Sequence, residues 1–185
     1  ILFSDILILP WAMGQSLDFV EGTGPVLGAI RSEQDLKALD PARIAEATAP
    51  VLETLTRLRK AVDGPDSIGV AKPGATTLLG FTGAPFTVAC YMVEGRGSRE
   101  FSITRNMAFS EPALFDRLMA LLTETTATYL CAQIEAGAEA VMLFDSWAGL
   151  LPPSEFRRLV IQPSRQIVQT IKARYPHVRV VGFPR

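Results

Sequence analysis

Four short stretches of this chain are apolar almost without interruption: ILFSDILI (1–8), TTLLGF (76–81), AEAVMLF (138–144) and VRVVGF (178–183). A strand with one wet face alternates apolar and polar residues. Runs that do not alternate are the mark of parallel strands covered on both faces. Parallel neighbours need a crossover between them, so this feature alone demands an α/β fold.

The intervening segments supply the crossovers. Asp40-Pro41 reads as an N-cap followed by an N1 proline. Ile44, Ala47, Val51, Leu55 and Leu58 then follow at helical spacing, with Pro50 as a candidate kink. Ser110 is the candidate cap of a second helix with Pro112 in its first turn. Leu114, Leu118, Leu121, Leu122, Tyr129 and Ile134 form its apolar stripe, and Gly137 suits the position after its end. A third pattern begins at Ser154, is interrupted by Pro163 and stops before Pro176, with Ile167, Val168 and Ile171 as its inner face. The long connection over 10–75 carries helix and turn signals, EGTGP (21–25) among them.

Right-handed βαβ units leave a choice between a doubly wound sheet and a (β/α)8 barrel. A barrel typically takes about 250 residues. Four strands in 185 residues would be about half of one.

Composition excludes several classes. The apolar share is 48% and the formal net charge is -1, which gives no footing for nucleic acid or an anionic membrane surface. No apolar stretch reaches the ~18 residues of a membrane span. Cys90 and Cys131 both fall in helical patterns and read as buried reduced thiols of a cytoplasmic protein. The single histidine, His177, sits in a short connection and reads as solvated. There is no G-x-G-x-x-G, no P-loop, no H-E-x-x-H and no C-x-x-C. The expectation is therefore no metal and no visible cofactor, with chemistry carried by carboxylate, hydroxyl and backbone groups.

Ligands of parallel α/β folds sit beyond the carboxyl ends of the strands. The residues expected there are Ser4 and Asp5, then Thr82 to Pro85, then Asp145, Ser146 and Trp147, then Pro184 and Arg185. Asp5 interrupts an apolar run, where an uncompensated carboxylate is costly. It reads either as a structural turn cap or as an acceptor facing a ligand. Asp145 and Ser146 read either as helix caps or as site residues. GAPFTVACYMVEG (83–95) opens like a helix, with Pro85 at N1. Its first N–H groups would face the ligand and favour an anion. Tyr91 lies about two turns in, as a core tyrosine or a ligand contact. RGSRE (96–100) is a small basic turn: a solvated loop, or a lid over an anion.

FSDIL (3–7) together with GFTGAPFTVACYMVEG (80–95) is a specific combination. It resembles the uroporphyrinogen decarboxylase family, and FVEGTGP (19–25), AEAVMLFDSWAG (138–149) and VVGFPR (180–185) agree with it in the same order. The resemblance implies a (β/α)8 TIM barrel, a cytoplasmic homodimer, and cofactor-independent loss of carbon dioxide from the four acetate arms of uroporphyrinogen III in porphyrin synthesis. It places the family's essential aspartate on Asp5, its substrate-binding tyrosine on Tyr91, its substrate-binding serine on Ser146 and a pocket-lining residue on Phe81. The family's N-terminal arginine motif and C-terminal histidine have no counterpart in the sequence. The expectation is thus a single, incomplete barrel domain over 1–185, inactive as it stands. Two competing readings are a barrel methyltransferase using cobalamin or zinc, and a silent binding module on the same fold.

Overall fold

The computed structural model describes residues 5–63 and 77–185. Its centre is a parallel sheet in the order β3 (Leu79–Gly83), β4 (Ala140–Asp145), β5 (Arg179–Pro184). Phe81 pairs with Met142 across β3 and β4, and Phe144 pairs with Phe183 across β4 and β5. These are three of the four expected strands. Residues 1–4 of the first run lie outside the described residues, as does Thr76. The described end of the first run is not strand. Asp5 leads through a turn into α1 (Ile8–Ala12), whose Leu9, Pro10 and Ala12 are buried. A short apolar run serves a buried helix as well as a buried strand, and periodicity does not separate them.

The first part of the chain adds an antiparallel hairpin, β1 (Leu17–Val20) and β2 (Gly24–Leu27), and the short helix α2 (Glu33–Lys37). Asp40 caps a 3₁₀ turn over Pro41–Arg43, its side chain accepting from the Ala42 N–H at 3.0 Å. Helix α3 (Ile44–Asp63) follows and runs through Pro50 without a break; the Thr54 hydroxyl donates to the Pro50 carbonyl at 2.7 Å.

After β3 the chain forms α4 (Pro85–Glu94), α5 (Ser102–Ser110) and α6 (Pro112–Glu135). Pro85 starts α4 as expected, and Gly95 ends it in the left-handed conformation, φ 80°. Ser110 does not cap α6. It closes α5, a helix that was not read from the sequence, and Glu111 stands at the α6 N-cap with φ -132°, ψ 57°, so that α6 begins at Pro112. Leu114, Phe115, Leu118, Leu122 and Leu130 of α6 are almost wholly buried. Each such side chain is worth ~1.5–3 kcal/mol relative to exposure. The third helical pattern is α7 (Pro153–Phe156), a π-turn over Arg157–Ile161, and α8 (Gln162–Arg174). The π-turn falls just before Pro163, which has no N–H for the regular ladder.

The helices cover one face of the sheet. Val141 and Leu143 pack with Ala127, Leu130 and Cys131 of α6 and with Ile167 and Ile171 of α8. Among the described residues the other face is only partly covered. Phe81, Phe144 and Phe183 form a ladder of edge-on rings across it, with centroids 5.5 and 5.8 Å apart. Phe81 and Phe144 are half-buried, and Phe183 is 51% exposed. The strands are apolar throughout because this second face is apolar too.

Candidate active site

The carboxyl ends of β3 and β4 gather the polar residues read from the sequence. Asp5 is half-buried, and its Oδ1 accepts from the Leu7 N–H at 2.7 Å, a turn cap leading into α1. The segment crosses the end of β3 at close range. A Cβ added to Gly83 would lie 3.1 Å from the Ile6 carbonyl oxygen. Asp5 also lines a cavity of about 250 Å3 with Ile8, Trp11, Leu17 and Phe19. Asp5 thus caps a turn and also lines a cavity.

Tyr91 is half-buried on α4, with its ring edge-on to Phe101 at 5.7 Å and to Trp147 at 6.4 Å. Burial pushes its phenol above the ordinary value, and the negative charge of Asp5 adds to the shift. Ser146 is half-buried at the end of β4, directly before Trp147, and its hydroxyl makes no hydrogen bond among the described residues. Phe81 stands on the aromatic face next to Phe144.

Asp145 has a different job. It is only 4% exposed, and its Oδ1 accepts from the Thr87 hydroxyl at 2.6 Å. The same Thr87 oxygen accepts from the Trp147 N–H at 3.1 Å. Thr87 thereby fastens the first turn of α4 to the end of β4. Burial pushes the Asp145 carboxyl up, and the Thr87 hydroxyl opposes that. The sequence reading placed Trp147 at this rim but missed Thr87 and Phe101 as parts of the site. Thr87 and Phe101 carried no signal in the sequence.

Cys90 and Cys131 are both free and buried, in separate core clusters. Burial pushes both thiols up. Among the described residues, no three His, Cys, Asp or Glu side chains gather into a metal-ligand set, and no helix is long and apolar enough to cross a membrane.

The family model described as "Uroporphyrinogen decarboxylase (URO-D)" matches residues 1–185. The chain belongs to the uroporphyrinogen decarboxylase family. It is 74% identical to a uroporphyrinogen decarboxylase of Gluconacetobacter diazotrophicus, over 100% of this chain and 52% of that protein. It is 66% identical to one of Gluconobacter oxydans, over 100% of this chain and 50% of that protein. The chain spans about half the length of the curated relatives it matches. Among solved structures it is similar to a methyltransferase from Methanosarcina mazei. The TM-score is 0.71 at 21% identity, covering 97% of this chain and 49% of that one. That likeness speaks for the fold alone.

Proposed function

We propose that the protein decarboxylates the four acetate side chains of uroporphyrinogen III to give coproporphyrinogen III, without a metal or organic cofactor. One observation carries the reading. In a chain matched along its whole length by the decarboxylase family, Asp5 lines a cavity together with residues of α1 and β1, on a segment that crosses the end of β3.

The chemistry follows from the substrate. Four pyrroles present N–H donors toward the centre of the macrocycle. Protonation of a pyrrole carbon beside an acetate arm makes a cation. As the arm's C–C bond breaks, its electron pair flows into that cation and carbon dioxide leaves. The exocyclic methylene so formed takes a proton to become a methyl group, and the ring carbon releases the one it gained. Asp5, ionised, accepts the pyrrole N–H groups and stabilises the positive charge where it develops. This is electrostatic preorganisation, strongest in a site shielded from water. Tyr91 and Ser146 orient carboxylate arms by hydrogen bonds, and Phe81 gives the ring an apolar wall.

The aromatic face of Phe81, Phe144 and Phe183 is, on this reading, the inner wall of a (β/α)8 barrel. Residues 1–185 then form part of a single barrel domain, working as a cytoplasmic homodimer. The test is anaerobic incubation of the purified protein with uroporphyrinogen III, followed by oxidation and chromatography of the porphyrins by carboxylate number. Stepwise loss down to the four-carboxylate product supports the proposal. Recovery of unchanged substrate contradicts it.

A further inference from the structure

The basic turn after α4 has no part in the site as described so far. A cavity of about 740 Å3 opens between it and the tip of the β1–β2 hairpin, lined among others by Gly22, Thr23, Arg31, Arg96, Ser98 and Ser102. Its charges are unbalanced. Arg31 is fixed at the end of α4, where Nε donates to the Val93 carbonyl at 2.9 Å and Nη2 to that of Glu94 at 3.1 Å. The acidic group on the wall, Glu94, already accepts from the Ile103 N–H at 3.2 Å. The Arg96 guanidinium makes no ion pair or hydrogen bond among the described residues. Ser98 Oγ accepts from the N–H groups of Glu100 and Phe101 at 3.3 and 3.1 Å, which leaves its own hydrogen to be donated elsewhere.

The turn is held, not loose. Arg96 pairs with Val26 across an antiparallel bridge, and the Leu27 N–H donates to the Gly95 carbonyl at 2.7 Å. Phe101 sits wholly buried with φ 46°, a left-handed conformation that a bulky residue adopts only under constraint. Its ring lies 4.8 Å from that of Trp147. Gly97 rests against the site: a Cβ there would come 4.0 Å from the Tyr91 ring. Gly97, on the wall of the cavity, thus lies beside the Tyr91 ring.

We propose that this cavity is a carboxylate subsite, in which Arg96 and the Ser98 and Ser102 hydroxyls hold the end of one acidic side arm of a polycarboxylate whose ring lies toward Asp5. A guanidinium offers two parallel donors that match a carboxylate, and neighbouring hydroxyls complete the set. The ion pair stabilises the bound carboxylate in the ground state, so the arm held here is one that is kept, a propionate, not the acetate that is cleaved. The identity of the ring rests on the decarboxylase reading above.

The test compares wild type with Arg96→Gln and Arg96→Lys in anaerobic turnover of uroporphyrinogen III at two ionic strengths. In Arg96→Gln, KM should rise about tenfold, equivalent to ~1.4 kcal/mol, with kcat within about twofold. The difference should shrink at high salt, because the site is open to solvent. Arg96→Lys should lie between the two. Unchanged KM in Arg96→Gln with an active wild type overturns the subsite and leaves the decarboxylase reading intact. If the wild type is inactive, that reading falls instead. Binding of uroporphyrin, followed by quenching of Trp147 fluorescence, then decides the subsite. Binding about tenfold weaker in Arg96→Gln supports it. Equal binding, or none by either protein, overturns it.

Discussion

Thr87→Val tests the joint that holds the site together. The substitution keeps the shape of the side chain and removes its hydroxyl. Two bonds go: the donation to Asp145 at 2.6 Å and the acceptance from the Trp147 N–H at 3.1 Å. Thr87 is 0% and Asp145 4% exposed, so water does not replace the lost partner. A hydrogen bond to a charged group contributes about 1.5–3 kcal/mol, and an orphaned donor adds to the loss. The expected cost at pH 8 is about 3 kcal/mol, or roughly 6–12 °C in Tm for a domain of this size. The cost depends on pH, and its sign follows from Asp145. Burial raises its pKa in the native state, so its contribution to stability is fullest below the unfolded value and declines as pH rises through the native one. Removing Thr87 removes the group that opposes this shift, so the native pKa climbs further. The deficit of Thr87→Val should therefore be smaller at pH 5 than at pH 8. Denaturant unfolding at both values, with Thr87→Ser as the variant that keeps the hydroxyl, reads this out. A deficit under about 0.5 kcal/mol at pH 8, or one that does not change with pH, would refute the reasoning.

Other expectations concern neighbouring parts of the fold. Asp145→Asn should flatten the decline in stability above the ordinary carboxylate range, visible as converging Tm curves at acid pH and diverging ones at neutral pH. Gly83→Ala places a Cβ 2.6 Å from Val88 Cγ2 and 3.1 Å from Ile6; it should cost about 1–3 kcal/mol and lower turnover by displacing Asp5. Gln133 accepts from the Phe81 N–H and donates to the Phe81 carbonyl, both at 2.9 Å. Gln133→Leu removes both bonds and should cost about 1–3 kcal/mol in denaturant unfolding. Cys90 and Cys131, with thiols pushed up by burial, should react with a thiol reagent only as fast as the protein unfolds.

The sheet and the two helices that frame the site were readable because their signals are local. Pro85 at N1 and Gly95 after the end mark α4, and unbroken apolar runs mark β3 to β5. The start of the chain was not readable in the same way. Leu7 and Leu9 are fully buried whether the run is strand or helix, so only the cap from Asp5 to the Leu7 N–H distinguishes them. The β1–β2 hairpin escaped because its strands are four residues long, with Phe19 and Val20 exposed. Helix α5 follows Phe101, whose left-handed backbone has no sequence signature. Asp5 and Ser146 were visible as polar residues beside apolar runs, and Tyr91 and Phe81 were singled out through the family resemblance. Thr87 and Phe101 look like ordinary core and became part of the site only through contacts that join distant segments.

The central claim is that Asp5 stabilises a developing cation and does not merely cap a turn. Asp5→Asn separates the two roles, because an amide oxygen still accepts the Leu7 N–H but carries no charge. Uroporphyrin binding and anaerobic turnover should be measured on the same preparation. The account predicts binding within a few fold of wild type and turnover lowered by about 10²–10³-fold, the scale of losing one preorganised electrostatic group. Turnover within a few fold of wild type would contradict it and leave Asp5 as a structural cap.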